Sequence, residues 1–367
     1  MKRLLYTFIT TKQSGVIPNL FRILLMPLCW LYRSIVSIRN YCYNVGIRKQ
    51  KKLPCTVISV GNIVVGGTGK TPAAATIARM LQKKGKRVAI LLRGYKRRST
   101  KKVLFVSDGE NHLCTREESG DEADMLARQI INVPIVVGKQ RYQTGKAALD
   151  RFNSEILILD DSFQHRQLAR DLDIITIDAT RPYGTNALLP IGSLREPKAA
   201  VQRADIILLT RTDAIDIQIQ NLRKQLKSLA PNTLILESVH QPTSLSPLNN
   251  KDKHSTIPLQ DLKGKRILAV CGIGNPTAFV ATIEKFHPEI VELFAFPDHH
   301  VYTESDIQNI HEQMKRCNTE WIITTQKDEQ KLADHTTELP ILVLAVELVI
   351  TNGENVLLDK LQISNTK

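Results

Sequence analysis

The run Ser59-Val60-Gly61-Asn62-Ile63-Val64-Val65-Gly66-Gly67-Thr68-Gly69-Lys70-Thr71-Pro72 places three closely spaced glycines, a lysine and a hydroxyl between an apolar stretch and a helical pattern. Those residue types at that spacing suit a phosphate cradle. Glycines let backbone N–H groups face phosphate oxygens and the helix N-terminus adds its positive end. Lys70 can reach β- and γ-phosphates, and Thr71 offers a hydroxyl to Mg²⁺. The usual G-x-x-x-x-G-K-[ST] pattern is broken at its first glycine, which falls on Val64. Gly66, Gly67, Thr68 and Gly69 still supply the close backbone approach, so the loop is read as a nucleoside-triphosphate site.

Such a loop works with an acid at the end of an apolar strand, and Ile156-Leu157-Ile158-Leu159-Asp160-Asp161 is the best match in the chain. Two carboxylates at the C-terminal edge of a strand lie where ligands bind in open α/β sheets. A GTPase would also show an N-K-x-D-like element. The nearest stretch, Thr325-Gln326-Lys327-Asp328, has no Asn and puts Asp directly after Lys. Polar clusters recur in turn contexts instead: Arg93-Gly94-Tyr95, Gly120-Asp121-Glu122, Asp160-Asp161-Ser162-Phe163-Gln164-His165, Leu194-Arg195-Glu196-Pro197 and Pro297-Asp298-His299-His300.

The elements that must hold these groups alternate in type. Short β-branched runs at 56–60, 88–92, 135–137, 156–159, 174–177 and 206–209 read as buried strands, with helical patterns at 72–84 and 123–131 between them. That alternation predicts a mostly parallel sheet covered by helices, a P-loop NTPase-like α/β fold. Residues 241–265 carry three prolines and the run Asn249-Asn250-Lys251-Asp252-Lys253, and read as a linker. Beyond it, 267–271, a helix from about Pro276, 321–324 and 341–345 predict a smaller α/β domain. The expected organisation is 1–52 as an N-terminal helix and basic segment, 53–240 as the phosphate-loop domain, 241–265 as linker and 266–367 as the second domain.

Charge is concentrated at one end. The first 107 residues hold 22 Lys/Arg and no acid, whereas the last 260 hold 28 basic and 36 acidic side chains. An acid-free, basic first third suits an anionic partner such as a membrane surface or a phosphorylated substrate. Only ten uncharged residues separate Arg22 from Arg33, with Pro27 among them, which is too short for a spanning helix, and no small-residue cleavage site follows. At 100° per residue the two arginines fall within about 20° of each other. Leu20, Leu24, Leu28, Leu31, Ile35 and Ile38 lie opposite, giving an amphipathic helix that suits a membrane interface. Six cysteines without a C-x-x-C pair point to a reducing compartment, with neither a disulfide framework nor a zinc site.

Together the polar clusters and the V-G-G-T-G-K-T-P loop resemble the tetraacyldisaccharide 4′-kinase family of lipid A biosynthesis, in the same order from the N-terminal helix to about Asp328. The match departs at Lys96, where the family's R-G-Y-G ends in Gly, at Ser162, where D-D-G-F-Q-H has Gly, and at Gln326 in T-E-K-D. The resemblance implies transfer of the γ-phosphate of ATP to the 4′-hydroxyl of a tetraacyldisaccharide 1-phosphate. The product would be lipid IVA, made at the cytoplasmic face of the bacterial inner membrane by a peripheral or monotopic protein. It also implies roles. Lys70 meets the β/γ-phosphates. Thr71, Asp161 and Glu196 face Mg²⁺ or its waters, with Asp160 and Gln164 beside them. Arg195 offsets charge on the transferring group. His299, paired with Asp121 in an Asp–His dyad, is the base, with His300 as its competitor. Arg93 and Tyr95 lie beside phosphate or substrate, and His165 is either a substrate contact or a hydrogen-bonding core residue. A base from the second domain acting with Asp121 of the first would require closure.

Other readings fit less well. A nucleic-acid-binding ATPase would use Lys96-Arg97-Arg98 and Lys101-Lys102, but aromatics are 5% of the chain and no nucleic-acid motif accompanies the patch. A phosphoesterase built on Asp298-His299-His300 would need further Asp/His ligands that the same domain lacks. A catalytically inactive family member acting as a scaffold is separable only by assay. Nucleic acid is not expected as a partner, and no obligate protein partner is implied.

Overall fold

Thr56–Gly61 (β1) is buried along its whole length, because it has a parallel neighbour on each side: Ile156–Asp160 on one edge and Leu172–Asp178 on the other. Both faces are covered as well, which explains its largely apolar sequence, with Thr56 and Ser59 the polar exceptions. The computed structural model describes residue 9 and residues 15–214, 218–248, 256–298, 300–335 and 339–363. The chain divides into two units, Met1–Val239 with Leu348–Lys367, and His240–Glu347.

In the first unit β1 is followed by β2 (Val88–Leu92), β3 (Leu104–Ser107), β4 (Ile135–Val137), β5 (Ile156–Asp160), β6 (Leu172–Asp178), β7 (Ile206–Thr210) and the first six residues of β8 (Leu234–Pro247), whose remainder from His240 belongs to the second unit. Their order is β8-β7-β6-β1-β5-β2-β4-β3, parallel throughout except for the antiparallel β3–β4 pair. The helices are α1 (Val16–Asn44), α2 (Lys70–Lys83), α3 (Arg116–Ser119), α4 (Asp121–Gln129), α5 (Arg141–Phe152) and α6 (Ile219–Leu229). Side chains alternate across the sheet. Ile58, Val60, Ile90 and Ile158 pack with Ala74, Ile77 and Leu81 of α2 and Leu126 of α4. Val57, Leu91, Leu157 and Leu159 face the other way, with Ala148 of α5.

The second unit holds β9 (Arg266–Cys271), α7 (Pro276–Glu284), β10 (Glu289–Ala295), α8 (Glu304–Cys317), β11 (Trp321–Thr325), α9 (Glu329–Ala333) and most of β12 (Ile341–Asn352). Its parallel order is β10-β9-β11-β12. One core places Ile267 and Ala269 with Phe279 and Ile283, and another places Leu268 and Val270 with Tyr302, Ile310 and Leu332.

Three local features differ from the sequence reading. Residues 241–247, expected in the linker, continue β8 as strand. Residues 348–367 fall in the first unit, where Leu348 and Ile350, with Leu357 and Leu361 of α10 (Glu354–Ile363), join the Ile58 core. Pro27 does not break α1, which runs 29 residues, ~43 Å at 1.5 Å per residue. The turns after Pro27 are pinned to the body: Cys29 Sγ approaches Leu188 O at 3.7 Å, Tyr32 Oη donates to Arg195 O at 2.8 Å, and Val36 is buried. By length and composition α1 could also cross a membrane, contrary to the expectation that it is too short.

Candidate active site

The phosphate loop joins β1 to α2 and is braced from both sides. On one side Val65 N donates to Ser193 O (2.7 Å) and Arg195 N to Ile63 O (2.8 Å). On the other, Thr210 Oγ1 at the end of β7 donates to Thr68 O (3.1 Å), and Arg211 Nη1 reaches Gly67 O (3.3 Å). The Thr68 hydroxyl itself is buried, accepting from Asn62 Nδ2 at 2.9 Å and sharing a 2.7 Å bond with Thr176 Oγ1, so it braces the loop from below. Gly66 (φ 120°) and Gly69 (φ 84°) take backbone conformations that side chains disfavour. Gly69 is the N-cap of α2 and makes no side-chain cap bond, which leaves the first backbone N–H groups of α2 to an anion.

Lys70 opens α2, with Nζ 3.4 Å from Gly66 O and 3.7 Å from Asp161 Oδ1. Thr71 Oγ1 donates to Asp160 Oδ2 at 2.8 Å. Asp160, at the end of β5, is buried, and its carboxyl is pushed up to about 7 by desolvation, then by Glu122 and Asp161, against the pull of Lys70 and Thr71. Its Oδ1 has no hydrogen-bond partner among the described residues. Asp161 turns outward with a left-handed backbone (φ 49°). Burial works against its ionisation, but Lys70 and Arg195 outweigh that and hold its carboxyl below the usual range. Arg195 Nη1 donates to Asp161 Oδ1 at 2.8 Å. Lys70, Thr71, Asp160, Asp161 and Arg195 therefore converge on one side of the loop.

Glu196 is held within the protein by three side chains. It is fully buried, with Oε1 accepting from Arg39 Nη2 (3.0 Å) and Oε2 from Asn40 Nδ2 (2.9 Å) and Arg203 Nη1 (2.7 Å). A carboxylate bonded to two guanidinium groups and an amide is already charge-balanced, so in this structure Glu196 serves as a clasp on α1. Gln164 Nε2 donates to Asn62 O at 2.7 Å, tying the turn after β5 to the loop. His165 is held neutral, its imidazole lowered to about 4 by burial and then by Arg141, Arg170 and Arg93. Arg93 and Tyr95 follow β2 with exposed side chains, and Tyr95 stands 61% exposed at the rim. Gly120 (φ 88°) lies so close to Tyr95 O that a Cβ would sit 2.8 Å away, which brings the start of α4, and with it Asp121, beside the Arg93–Tyr95 turn.

His299 lies outside the described residues. His300 is engaged by its own unit: Nε2 is 2.9 Å from Asp306 Oδ2, and the ring stacks on Phe296 with centroids 4.5 Å apart. Asp298 is paired with Lys327 Nζ at 2.6 Å. His300 thus has a carboxylate partner of its own in Asp306, and the carboxylate of Asp298 is matched by Lys327.

Arg141, at the start of α5, was not singled out by sequence. It is buried, and donates to Gly138 O (2.7 Å), Asp160 O (2.9 Å) and Ser162 Oγ (3.2 Å), with desolvation lowering it to about 10 against Asp160 and Asp161. Its position just after β4, at the C-terminal edge of the sheet, was the available signal. Ser162 has an ordinary backbone and passes its hydroxyl on to Asp160 O at 3.1 Å. The left-handed residue of this turn is Asp161.

Among known proteins, the family model for tetraacyldisaccharide-1-P 4′-kinase matches residues 21–362. A tetraacyldisaccharide 4′-kinase of Syntrophus aciditrophicus is 41% identical over 337 residues, 89% of each chain. One from Halothermothrix orenii is 36% identical over 334 residues, 87% of each chain. The crystal structure of LpxK from Aquifex aeolicus in complex with ATP has a TM-score of 0.74 at 31% identity, covering 94% of this chain and 99% of that one.

Proposed function

This chain belongs to the tetraacyldisaccharide 4′-kinase family and is an ATP-dependent 4′-kinase of lipid A biosynthesis, and from that premise we propose how its own residues carry the transfer. The acceptor is the 4′-hydroxyl of a tetraacyldisaccharide 1-phosphate and the product is lipid IVA. The observation that carries the assignment of roles is the meeting of Lys70, Thr71, Asp160, Asp161 and Arg195 at one end of β1 and β5.

The N–H groups at Gly66–Gly69 and the start of α2 bind the β- and γ-phosphates, and Lys70 neutralises charge between them. The residues fit Mg²⁺. Asp160 is a buried carboxylate with an unpartnered oxygen and a raised pKa, and Thr71 stands beside it. No cluster of three or more acidic, His or Cys ligands occurs among the described residues. Mg²⁺ at a nucleotide takes one or two carboxylates, waters and phosphate oxygens, and Asp160 beside Thr71 offers such a carboxylate. The ion would offset the negative charge of the phosphates. Asp160 and Thr71 would hold it, with Asp161 able to reach its waters.

In the transfer, the sugar oxygen forms a bond to the γ-phosphorus and the bond to the β–γ bridging oxygen breaks, leaving ADP. The hydroxyl proton passes to a base, assigned to His299, and Asp121 orients that imidazole. Arg195 stabilises charge on the transferring group, freed from Asp161 by the incoming phosphates. Arg93, Tyr95 and the neutral His165 line the acceptor side.

The protein works at the cytoplasmic face of the inner membrane in this reading, and the outer face of α1 supports its membrane-interface part. Leu20, Leu24, Leu28, Leu31, Ile35 and Ile38 are each more than half exposed. Replacing Leu24, Leu28 and Leu31 by Gln is expected to lower recovery with membranes while the melting temperature holds, and an unchanged membrane fraction would reject interfacial binding. The reaction itself is tested with γ-labelled ATP, Mg²⁺ and tetraacyldisaccharide 1-phosphate, expecting label in the lipid phase. His299→Ala is expected to lower kcat by orders of magnitude with ATP affinity nearly unchanged, and full activity would remove His299 from the mechanism.

A further inference from the structure

The inner face of α1 is bonded to two of the segments that carry charged residues of the site, 195–196 and the turn after β5. Cys29, Tyr32, Val36, Arg39, Asn40 and Tyr43 recur at spacings of three and four along α1 and are all partly or fully buried, opposite the exposed leucines. Tyr32 Oη donates to Arg195 O at 2.8 Å, and Arg39 and Asn40 hold both oxygens of Glu196, the next residue. Arg166, which follows His165 in the turn after β5, donates to Asn40 O (3.0 Å) and Asn44 Oδ1 (2.9 Å).

The main chain of Arg195 is thus fixed at both ends: its N–H is bonded to Ile63 O in the phosphate loop, and its carbonyl is bonded by α1. Its side chain then extends to Asp161, 2.8 Å away. Glu196 reinforces this, because a fully buried carboxylate is tolerated only while its cationic donors stay in place. Segment 195–196 therefore cannot shift relative to α1 without breaking the Tyr32 bond or exposing an unbalanced charge.

We propose that Tyr32 and Arg39 are positioning residues for phosphoryl transfer: through residues 195–196 they set where the Arg195 guanidinium stands relative to Asp161 and Lys70. The helix that offers an apolar face to lipid also aligns the charges that act on the γ-phosphoryl group. This rests on the role given above to Arg195.

The test uses the full-length protein with γ-labelled ATP and tetraacyldisaccharide 1-phosphate, presented either in phospholipid vesicles or in detergent micelles. Tyr32→Phe and Arg39→Met are expected to lower kcat about fivefold or more, since small displacements of an aligned group are expensive in rate. The loss should be equal in both presentations, with the KM for ATP and the fraction sedimenting with vesicles unchanged, and Arg39→Lys should recover part of the rate. Unchanged kcat in both variants overturns the proposal. A loss confined to vesicles, accompanied by less sedimentation, also overturns it, since that would make the residues a matter of recruitment alone. Should Arg39→Met fail to fold, Tyr32→Phe, which removes only a hydroxyl, decides the question. Arg195→Ala in the same assay separates the two levels. If it is fully active, the role of Arg195 is wrong and the inference falls with it. If it is impaired while Tyr32→Phe and Arg39→Met are not, only the inference falls.

Discussion

Asp160 and Glu196 are both buried carboxylates in the first unit, 3% and 0% exposed, and they differ in what surrounds them. Glu196 accepts from Arg39, Asn40 and Arg203, so its charge is matched within the protein. Asp160 accepts one hydroxyl, from Thr71, keeps an oxygen without a partner among the described residues, and is pushed up to about 7 by burial. Equal burial therefore separates a joint from a site. The joint has its demand met by the chain, whereas the site leaves a demand that a cation and a nucleotide can meet.

The largest effect expected from this contrast is kinetic. Lys70→Ala removes the cation beside Asp161 and should lower kcat by about 10³-fold, equivalent to about 4 kcal/mol of barrier, with the circular dichroism spectrum unchanged. Loss of fold instead of rate would place Lys70 with the joints. Glu196→Gln should behave in the opposite way. It leaves the partly buried Arg39 and Arg203 against a neutral amide and should destabilise by about 2 kcal/mol in urea unfolding. A variant of native stability but with lost Mg²⁺ dependence would return Glu196 to the metal.

Asp160→Asn sharpens the comparison through pH. A carboxyl whose folded pKa is raised resists ionisation in the native state. In the metal-free protein its cost is absent below the unfolded value near 4, grows as pH rises, and is complete above about 7. Asp160→Asn should therefore stabilise the apo protein by an amount on the order of 2 kcal/mol at pH 8 and by less at pH 5, while turnover falls. Equal stability of the two proteins at both pH values would show that Asp160 is compensated as well as Glu196 is.

The Asp160 side of this contrast was largely legible in the sequence, and the Glu196 side was not. Gly66–Thr71 and Asp160-Asp161 announce themselves because their chemistry is local: glycines, a lysine and acids at the ends of apolar runs. The strands were legible for the same reason, since burial on both faces forces continuous β-branched runs. The Glu196 clasp was not legible because its partners Arg39 and Asn40 lie more than 150 residues away on a helix whose outer leucines dominate the pattern. Arg141 was missed because an arginine opening an amphipathic helix is ordinary, and only the fold brings it to Asp160 O. Segment 348–361 packs with the Ile58 core, an association that no periodicity reports.

Ser162→Gly offers the smallest and most discriminating change, because it alters the turn beside Asp160 without altering charge. The left-handed position is Asp161, so a glycine at 162 gains no conformational advantage and increases the entropy of the unfolded chain. It also removes the hydroxyl that accepts from Arg141 Nε at 3.2 Å and donates to Asp160 O at 3.1 Å. Arg141 keeps its bonds to Gly138 O and Asp160 O, so the guanidinium stays anchored at two of its three points. The expected result is a loss of about 1 kcal/mol in stability with kcat within about threefold of the parent. A tenfold or greater fall in kcat at unchanged stability would mean that the serine hydroxyl, acting through Arg141, sets the Asp160 carboxylate, and that this end of β5 tolerates as little loss of support as the Glu196 clasp does.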